Sequence, residues 1–188
     1  MEFYHEGMRE LQDRYEGRDV PDRLADNRMR RAFNAEDREC IETSPFFFLS
    51  TAADESVDSS FKGGEPGFVR VTGDNTLAWP DYDGNRMYRS LGNILRNPRV
   101  GLLFVRFDGK TFNNAGRLRI NGHAQIDDRP EAIEGLPGAK RMIRVRAEYI
   151  YTNCPRYIPK LATEKSSVYS PRENYSPPDP DWKSMPFV

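Results

Sequence analysis

The sequence predicts a mainly β protein with flanking helices, in which short antiparallel strands favour a barrel over a doubly wound sheet. Three observations carry this expectation. Seven short β-prone segments follow one another between residues 46 and 151, separated by turn residues. Two of them, residues 117–126 and 141–151, alternate apolar and basic side chains with period two: Leu118 and Ile120 against Arg117, Arg119 and Asn121, then Ile143, Val145 and Ala147 against Arg144 and Arg146. A single helical pattern, residues 87–96, interrupts the strands.

Each element has its own local justification. Residues 2–17 form an amphipathic helix candidate, with Phe3, Gly7, Leu11 and Tyr15 on one i, i+4 stripe, Met8 beside it and Gly17 to close it. Residues 18–31 are highly charged, with Leu24 and Met29 as the apolar anchors, and read as a surface segment. The arginines within 28–31 read as a solvated face before they read as a nucleic-acid contact. Asn34 is a good N-cap for a short helix to Thr43, with Glu36 and Asp37 in an acidic first turn.

Strands are expected at 46–52 and 57–62 around a turn at 54–56, and Gly63-Gly64 breaks that ladder. Residues 68–72 and 76–79 make a hairpin around Gly73-Asp74-Asn75. Residues 80–85 are a loop of turn formers. Asn85 can cap the following helix, in which Met87, Leu91, Ile94 and Leu95 recur at helical spacing. Asn97-Pro98 ends that helix, because the residue before proline is pushed out of the α region. The nearly continuous apolar run at 100–107 fits a buried strand. Residues 108–116 and 135–138 are loops.

Beyond about Glu164 the chain is polar and proline-rich and cannot bury much surface alone, although Tyr169, Tyr175, Trp182 and Phe187 are costly to leave in water. It is either a loose tail or an arm laid across a neighbouring subunit. The expected organisation is an N-terminal helical segment (1–45) packed on a barrel domain (46–160), followed by an extended arm (161–188).

Composition narrows the function. With 188 residues the chain can build one domain with a real core. A net charge of −1 lacks the basic excess of a dedicated DNA binder. Cys40 and Cys154, far apart in sequence, fit free thiols in a reducing cytoplasm better than a disulfide framework. No apolar run approaches a membrane span and the N-terminus lacks a signal-peptide pattern, so a cytoplasmic protein is the expectation. The chain has no GxSxG, GxxxxGK[ST], GxGxxG or HExxH. Its two histidines, His5 and His123, lack the companions of a metal site, and pairing Cys154 with His123 as a nucleophile is the weaker reading beside simple packing.

The chemistry gathers instead around residues 76–107. From Gly84 to Phe107 there are five arginines, at 86, 89, 96, 99 and 106, and no acid. Arg86, Arg89 and Ser90 fall at the start of the helix, where free N–H groups and the positive dipole end suit a phosphate. Basic residues there are slightly unfavourable without an anion. Trp79 and Tyr82 in the preceding loop suit a flat aromatic ligand. The bland alternative is a solvated, arginine-rich helix. A site rich in arginine and aromatics and poor in acids and bases implies that a cofactor carries the chemistry.

Ser59-Ser60-Phe61-Lys62-Gly63-Gly64-Glu65-Pro66-Gly67-Phe68-Val69-Arg70-Val71, then TLAWPDYDGNRMYRSLGNILRNPRVGLLF, then RLRINGHA, together resemble the pyridoxamine 5′-phosphate oxidase-like family of FMN-binding split β-barrels, over roughly residues 46–157. The resemblance implies a split antiparallel barrel of six or seven strands, a homodimer, and FMN in two equivalent clefts between subunits. It places Ser59, Ser60, Phe61 and Lys62 on the strand under the isoalloxazine, with Lys62 toward the pyrimidine or ribityl side. It places Trp79, Pro80, Asp81 and Tyr82 along the ring edge, and Asn85, Arg86, Met87, Arg89 and Ser90 around the phosphate. Asn93 matches an asparagine of the family helix, and Arg117 or Arg119 would reach the flavin from the other subunit. The chain departs from the true pyridoxamine 5′-phosphate oxidases. Tyr88-Arg89-Ser90 stands where they carry a Ser-Arg-Lys-like run, and their C-terminal substrate-binding arginine–tryptophan segment has no equivalent, which argues against vitamin B6 oxidation.

The leading functional expectation is an FMN-dependent oxidoreductase acting through flavin N5 on a small substrate, with a deazaflavin, heme or free flavin as variants of the ligand. The alternatives are a non-catalytic flavin-binding or storage protein, and an anion- or RNA-binding barrel using the Arg117/Arg119 and Arg144/Arg146 faces. The colour of the purified protein separates the last of these from the others.

Overall fold

The computed structural model describes residues 3–111, 115–161 and 167–180. Seven strands form one antiparallel sheet: β1 (Phe46–Ala53), β2 (Ser56–Gly63), β3 (Arg70–Val71), β4 (Thr76–Asp81), β5 (Arg99–Val105), β6 (Arg117–Asp127) and β7 (Arg141–Asn153). Their order is β2-β1-β5-β6-β7-β4-β3. The two end strands do not pair with each other, so the sheet curls without closing and the barrel is split as the motifs implied.

The predicted alternation holds. Leu118 and Ile120 of β6, and Ile143, Val145 and Ala147 of β7, are buried, while Arg119, Arg144 and Arg146 face out. Inside, Phe47 meets Trp79 edge-on at 5.0 Å and stacks on Phe104 at 5.1 Å, geometries that aromatic pairs favour. A bulge between Asn121 and Gly122 bends β6 against β7. A Cβ at Gly122 would collide with the Arg146 carbonyl, so the bulge needs glycine there.

The helices differ more from expectation. α1 (Glu6–Tyr15) starts four residues later than the pattern suggests, and it buries no residue. Leu11 and Tyr15, on the expected buried stripe, are 52% and 73% exposed. Phe3 does the packing instead, against Tyr149 and Tyr151. The charged segment holds a helix not foreseen in the sequence, α2 (Asp19–Arg28), also without a buried residue; acids in its first turn and Arg28 in its last suit the dipole. α3 (Ala35–Thr43) has the cap foreseen. Asn34 accepts from the Asp37 N–H and Asp37 accepts from the Asn34 N–H, a full capping box. Arg30 then binds Asp37 through two nitrogens and bridges backbone to backbone with Ile150, which fastens the segment before α3 to β7.

α4 (Arg89–Arg96) packs against β1, β2 and β6, burying Leu91 and Ile94. Asn93 donates to Thr51 Oγ1 with both residues buried, so its role is structural. Asn85 is not the cap. Tyr88 occupies that position with left-handed backbone (φ 53°), and Asn85 accepts from the Met87 N–H inside the loop. Among the described residues of the arm, Arg172 pairs with Glu65 and Pro171 lies against Gly138, both within the same chain. Trp182 and Phe187 lie outside the described residues.

Candidate functional site

The split leaves a cleft of about 420 Å³ between β2 and β4, roofed by the loop into α4 and flanked by the start of β7. Alternation along β2 decides which of its side chains serve the cleft. Asp58, Ser60 and Lys62 fall on the half-buried face, and Val57, Ser59 and Phe61 on the exposed one. Ser59 therefore points away from the position expected of it. Phe61 still reaches the rim of the cleft, where it stacks on Phe46 at 5.1 Å.

The opposite wall is β4 and its continuation: Trp79, Pro80, Asp81 and Tyr82. Trp79 is 1% exposed, and its indole N–H has no hydrogen-bond partner among the described residues. A buried donor without an acceptor costs on the order of 1–3 kcal/mol. Burial pushes the Asp81 carboxyl above its ordinary pKa, opposed by Arg141, which donates to it at 2.7 Å, and by Lys62. Burial, with Glu65 nearby, likewise raises the Tyr82 phenol. Lys140 and Arg141 belong to this wall and were not among the residues singled out in the sequence. The pairing that brings them here, Asp81 opposite Arg141 in β4 and β7, is long-range and has no local signature.

The third side is the entry to α4, where Asn85, Arg86, Met87, Arg89 and Ser90 line the cleft. Arg86 and Tyr88 both have left-handed backbone, at φ 62° and 53°. Two such residues within three positions cost on the order of 1–3 kcal/mol each, and such strain concentrates at binding sites. The turn exposes the Arg86 side chain, which has no ion pair among the described residues. Ser90 is buried; its hydroxyl lies 2.9 Å from that of Ser60 and donates to Asp58 at 2.7 Å. Arg89 reaches the same carboxylate at 3.4 Å and the Val57 carbonyl at 3.2 Å. The basic helix start therefore does have its anion, and the chain provides it. Asp58 was missed in the sequence, although its spacing from Ser60 and Lys62 places all three on one strand face.

Arg117 and Arg119 are not in this cleft. Arg117 donates to the Cys154 carbonyl, and Arg119 lies over the Tyr151 ring in a second, apolar hollow between the N-terminal helices and β5–β7. Arg144 is engaged by Asp127, so the expected basic faces are in part ion-paired and ring-stacked. Among the described residues no cluster of three or more histidine, cysteine or acidic side chains could hold a metal, and no helix is long and apolar enough to cross a membrane.

The donor set fits an aromatic ligand with an anionic tail. Ser60, Lys62, Arg86, Arg89 and Ser90 supply donors and positive charge, and Phe61, Trp79, Tyr82 and Met87 supply flat or apolar wall. Asp58, Asp81 and Asp83 also line the cleft and work against an anion; Asp58 is the one bonded to Arg89 and Ser90.

A family model described as pyridoxamine 5′-phosphate oxidase matches residues 33–166. No curated protein sequence matches the chain. Among solved structures, similarity extends to a conserved hypothetical protein of Mycobacterium tuberculosis (19% identity, 71% of this chain and 93% of that one, TM-score 0.48). It extends also to HupZ of Group A Streptococcus (14%, 69% and 99%, TM-score 0.47) and to a FAD-binding protein of Mesorhizobium loti (13%, 66% and 98%, TM-score 0.42).

Proposed function

We propose, because this chain belongs to the pyridoxamine 5′-phosphate oxidase family, that it binds FMN in the cleft between β2 and β4 and acts as an oxidoreductase on a small substrate. The observation that carries this reading is the convergence of three separate chain segments on one cleft: Ser60 and Lys62, Trp79 to Tyr82, and Asn85 to Ser90. These are the segments to which the resemblance assigned the ring underside, the ring edge and the phosphate.

Bound FMN would supply the hydride and electron chemistry. The chain's own residues bind, orient and polarise. Arg86, Arg89 and Ser90 would hold the phosphate through charge-assisted bonds. Lys62 places a positive charge on the face of β2 that lines the cleft, where it would favour a reduced, anionic ring. Trp79 and Asp81 form part of the wall, with Asp81 held by Arg141. A homodimer belongs to the proposal. α1 and α2 leave Met8, Leu11, Val20 and Leu24 between 43% and 54% exposed, apolar surface that a second copy could cover.

The test is direct. Purified protein should be yellow or should take up FMN stoichiometrically, followed by quenching of flavin fluorescence. Bleaching of the bound flavin by a reduced nicotinamide would favour turnover over storage. Protein that takes up no flavin from saturating FMN would overturn the proposal.

A further inference from the structure

Asp58 is bonded to two of the residues proposed above to hold a phosphate. Its carboxylate accepts from Ser90 Oγ at 2.7 Å and from Arg89 Nε at 3.4 Å, and Ser90 in turn is 2.9 Å from Ser60 Oγ. A serine hydroxyl has one proton to give. Ser90 gives it to Asp58, so a phosphate can receive it only if Asp58 lets go. Arg89 gives Nε to the same carboxylate and a terminal nitrogen to the Val57 carbonyl; its other N–H groups stay available, so a phosphate would share its charge with Asp58. The Asp58 side chain is 15% exposed, which limits how far water can screen it from a second anion beside it.

We propose that Asp58 is a specificity-determining residue that competes with a phosphate monoester for Arg89 and Ser90, so that the chain discriminates weakly between a phosphorylated flavin and its dephosphorylated parent. This rests on the flavin-binding function proposed above. The carboxylate relieves the electrostatic cost of a basic first turn in the free protein, and a phosphate that binds there must share Arg89 with it and displace it from Ser90. A ligand ending in a hydroxyl leaves it in place.

The experiment titrates FMN and riboflavin against the full-length wild-type protein and against Asp58→Asn, with Asp58→Ser as a second variant and a thermal melt to establish that each is folded. The wild-type protein should prefer FMN by less than about ten-fold. Asp58→Asn should raise FMN affinity about ten-fold or more and leave riboflavin within roughly two-fold. A wild-type preference of about a hundred-fold or more overturns the inference without recourse to any variant. So does a folded variant in which both flavins shift together, or in which FMN weakens, since Asp58 would then be orienting Arg89 and Ser90 for the phosphate. Absence of binding by either flavin to any of the proteins is a different failure: it removes the flavin-binding function and the inference with it.

Discussion

Replacing Asp37 by alanine should unfold the protein at a distinctly lower temperature, because one carboxylate holds three things together. It is 1% exposed. It accepts from Arg30 at 2.5 and 3.1 Å, and it closes the capping box by accepting from the Asn34 N–H at 3.1 Å. Arg30 is joined to Ile150 of β7 by reciprocal backbone bonds of 2.8 and 3.0 Å, so the ion pair sits where the N-terminal segment meets the barrel. Removing one partner of a buried pair costs about 3–5 kcal/mol. Arg30 is 25% exposed and can recover some hydration, which favours the lower end, about 3 kcal/mol. For a domain of this size each kcal/mol lowers the melting temperature by roughly 2–4 °C, giving a drop of roughly 6–12 °C. The Arg96–Asp54 pair is the control: its side chains are 73% and 75% exposed and 3.6 Å apart, and such pairs contribute at most about 1 kcal/mol. Asp54→Asn should therefore shift the melt by less than about 4 °C. Thermal melts of the flavin-free proteins, monitored by circular dichroism, provide the comparison. If Asp37→Ala melts within the range of Asp54→Asn, the account of how the N-terminal segment is fastened is wrong.

Arg89→Ala should weaken FMN by roughly 2–10-fold: a phosphate bond at the low end of about 1.5–3 kcal/mol is lost, the pair with Asp58, about 0.2–1 kcal/mol, no longer competes for it, and a wild-type preference below about ten-fold leaves little room for a larger loss. Riboflavin should hardly change; equal losses would put the phosphate elsewhere. Lys62→Met should lower the reduction potential of bound flavin, since its positive charge favours the reduced anion; an unchanged redox titration would make Lys62 a mere surface lysine. At pH 8 iodoacetamide should modify one cysteine in the folded protein. Cys154 is exposed, with its thiol pKa lowered by a backbone hydrogen bond from Arg156 and the nearby Arg156 and Arg117 charges, whereas burial pushes the Cys40 thiol up to about 11. Rapid labelling of Cys40 by mass spectrometry would contradict that. Light scattering should give twice the chain mass, and truncation after Glu164 should weaken the dimer or lower flavin content; a monomeric flavin-loaded protein would refute the dimer.

What could be read in the sequence, and what could not, follows the range of the interactions involved. Asn34 as a cap, the Gly73-Asp74-Asn75 hairpin and the stop at Asn97-Pro98 are governed by backbone preferences within a few residues, and all three appear as expected. The alternation along β6 and β7 is legible because burial imposes a period of two on the sequence itself. α1 was misjudged for the converse reason: periodicity shows which face could be buried, not whether anything covers it, and Leu11 and Tyr15 remain exposed. The site divides along the same line. Its three segments were legible as motifs, but its chemistry is set by pairs distant in sequence: Asp58 with Ser90, Asp81 with Arg141, Ser60 with Ser90. Counting the residues from Gly84 to Phe107 finds arginines without an acid and suggests an anion from outside. The sheet brings Asp58 to them from β2, 31 and 32 residues away from Arg89 and Ser90. A charge imbalance within one segment is thus a statement about the fold before it is one about a ligand.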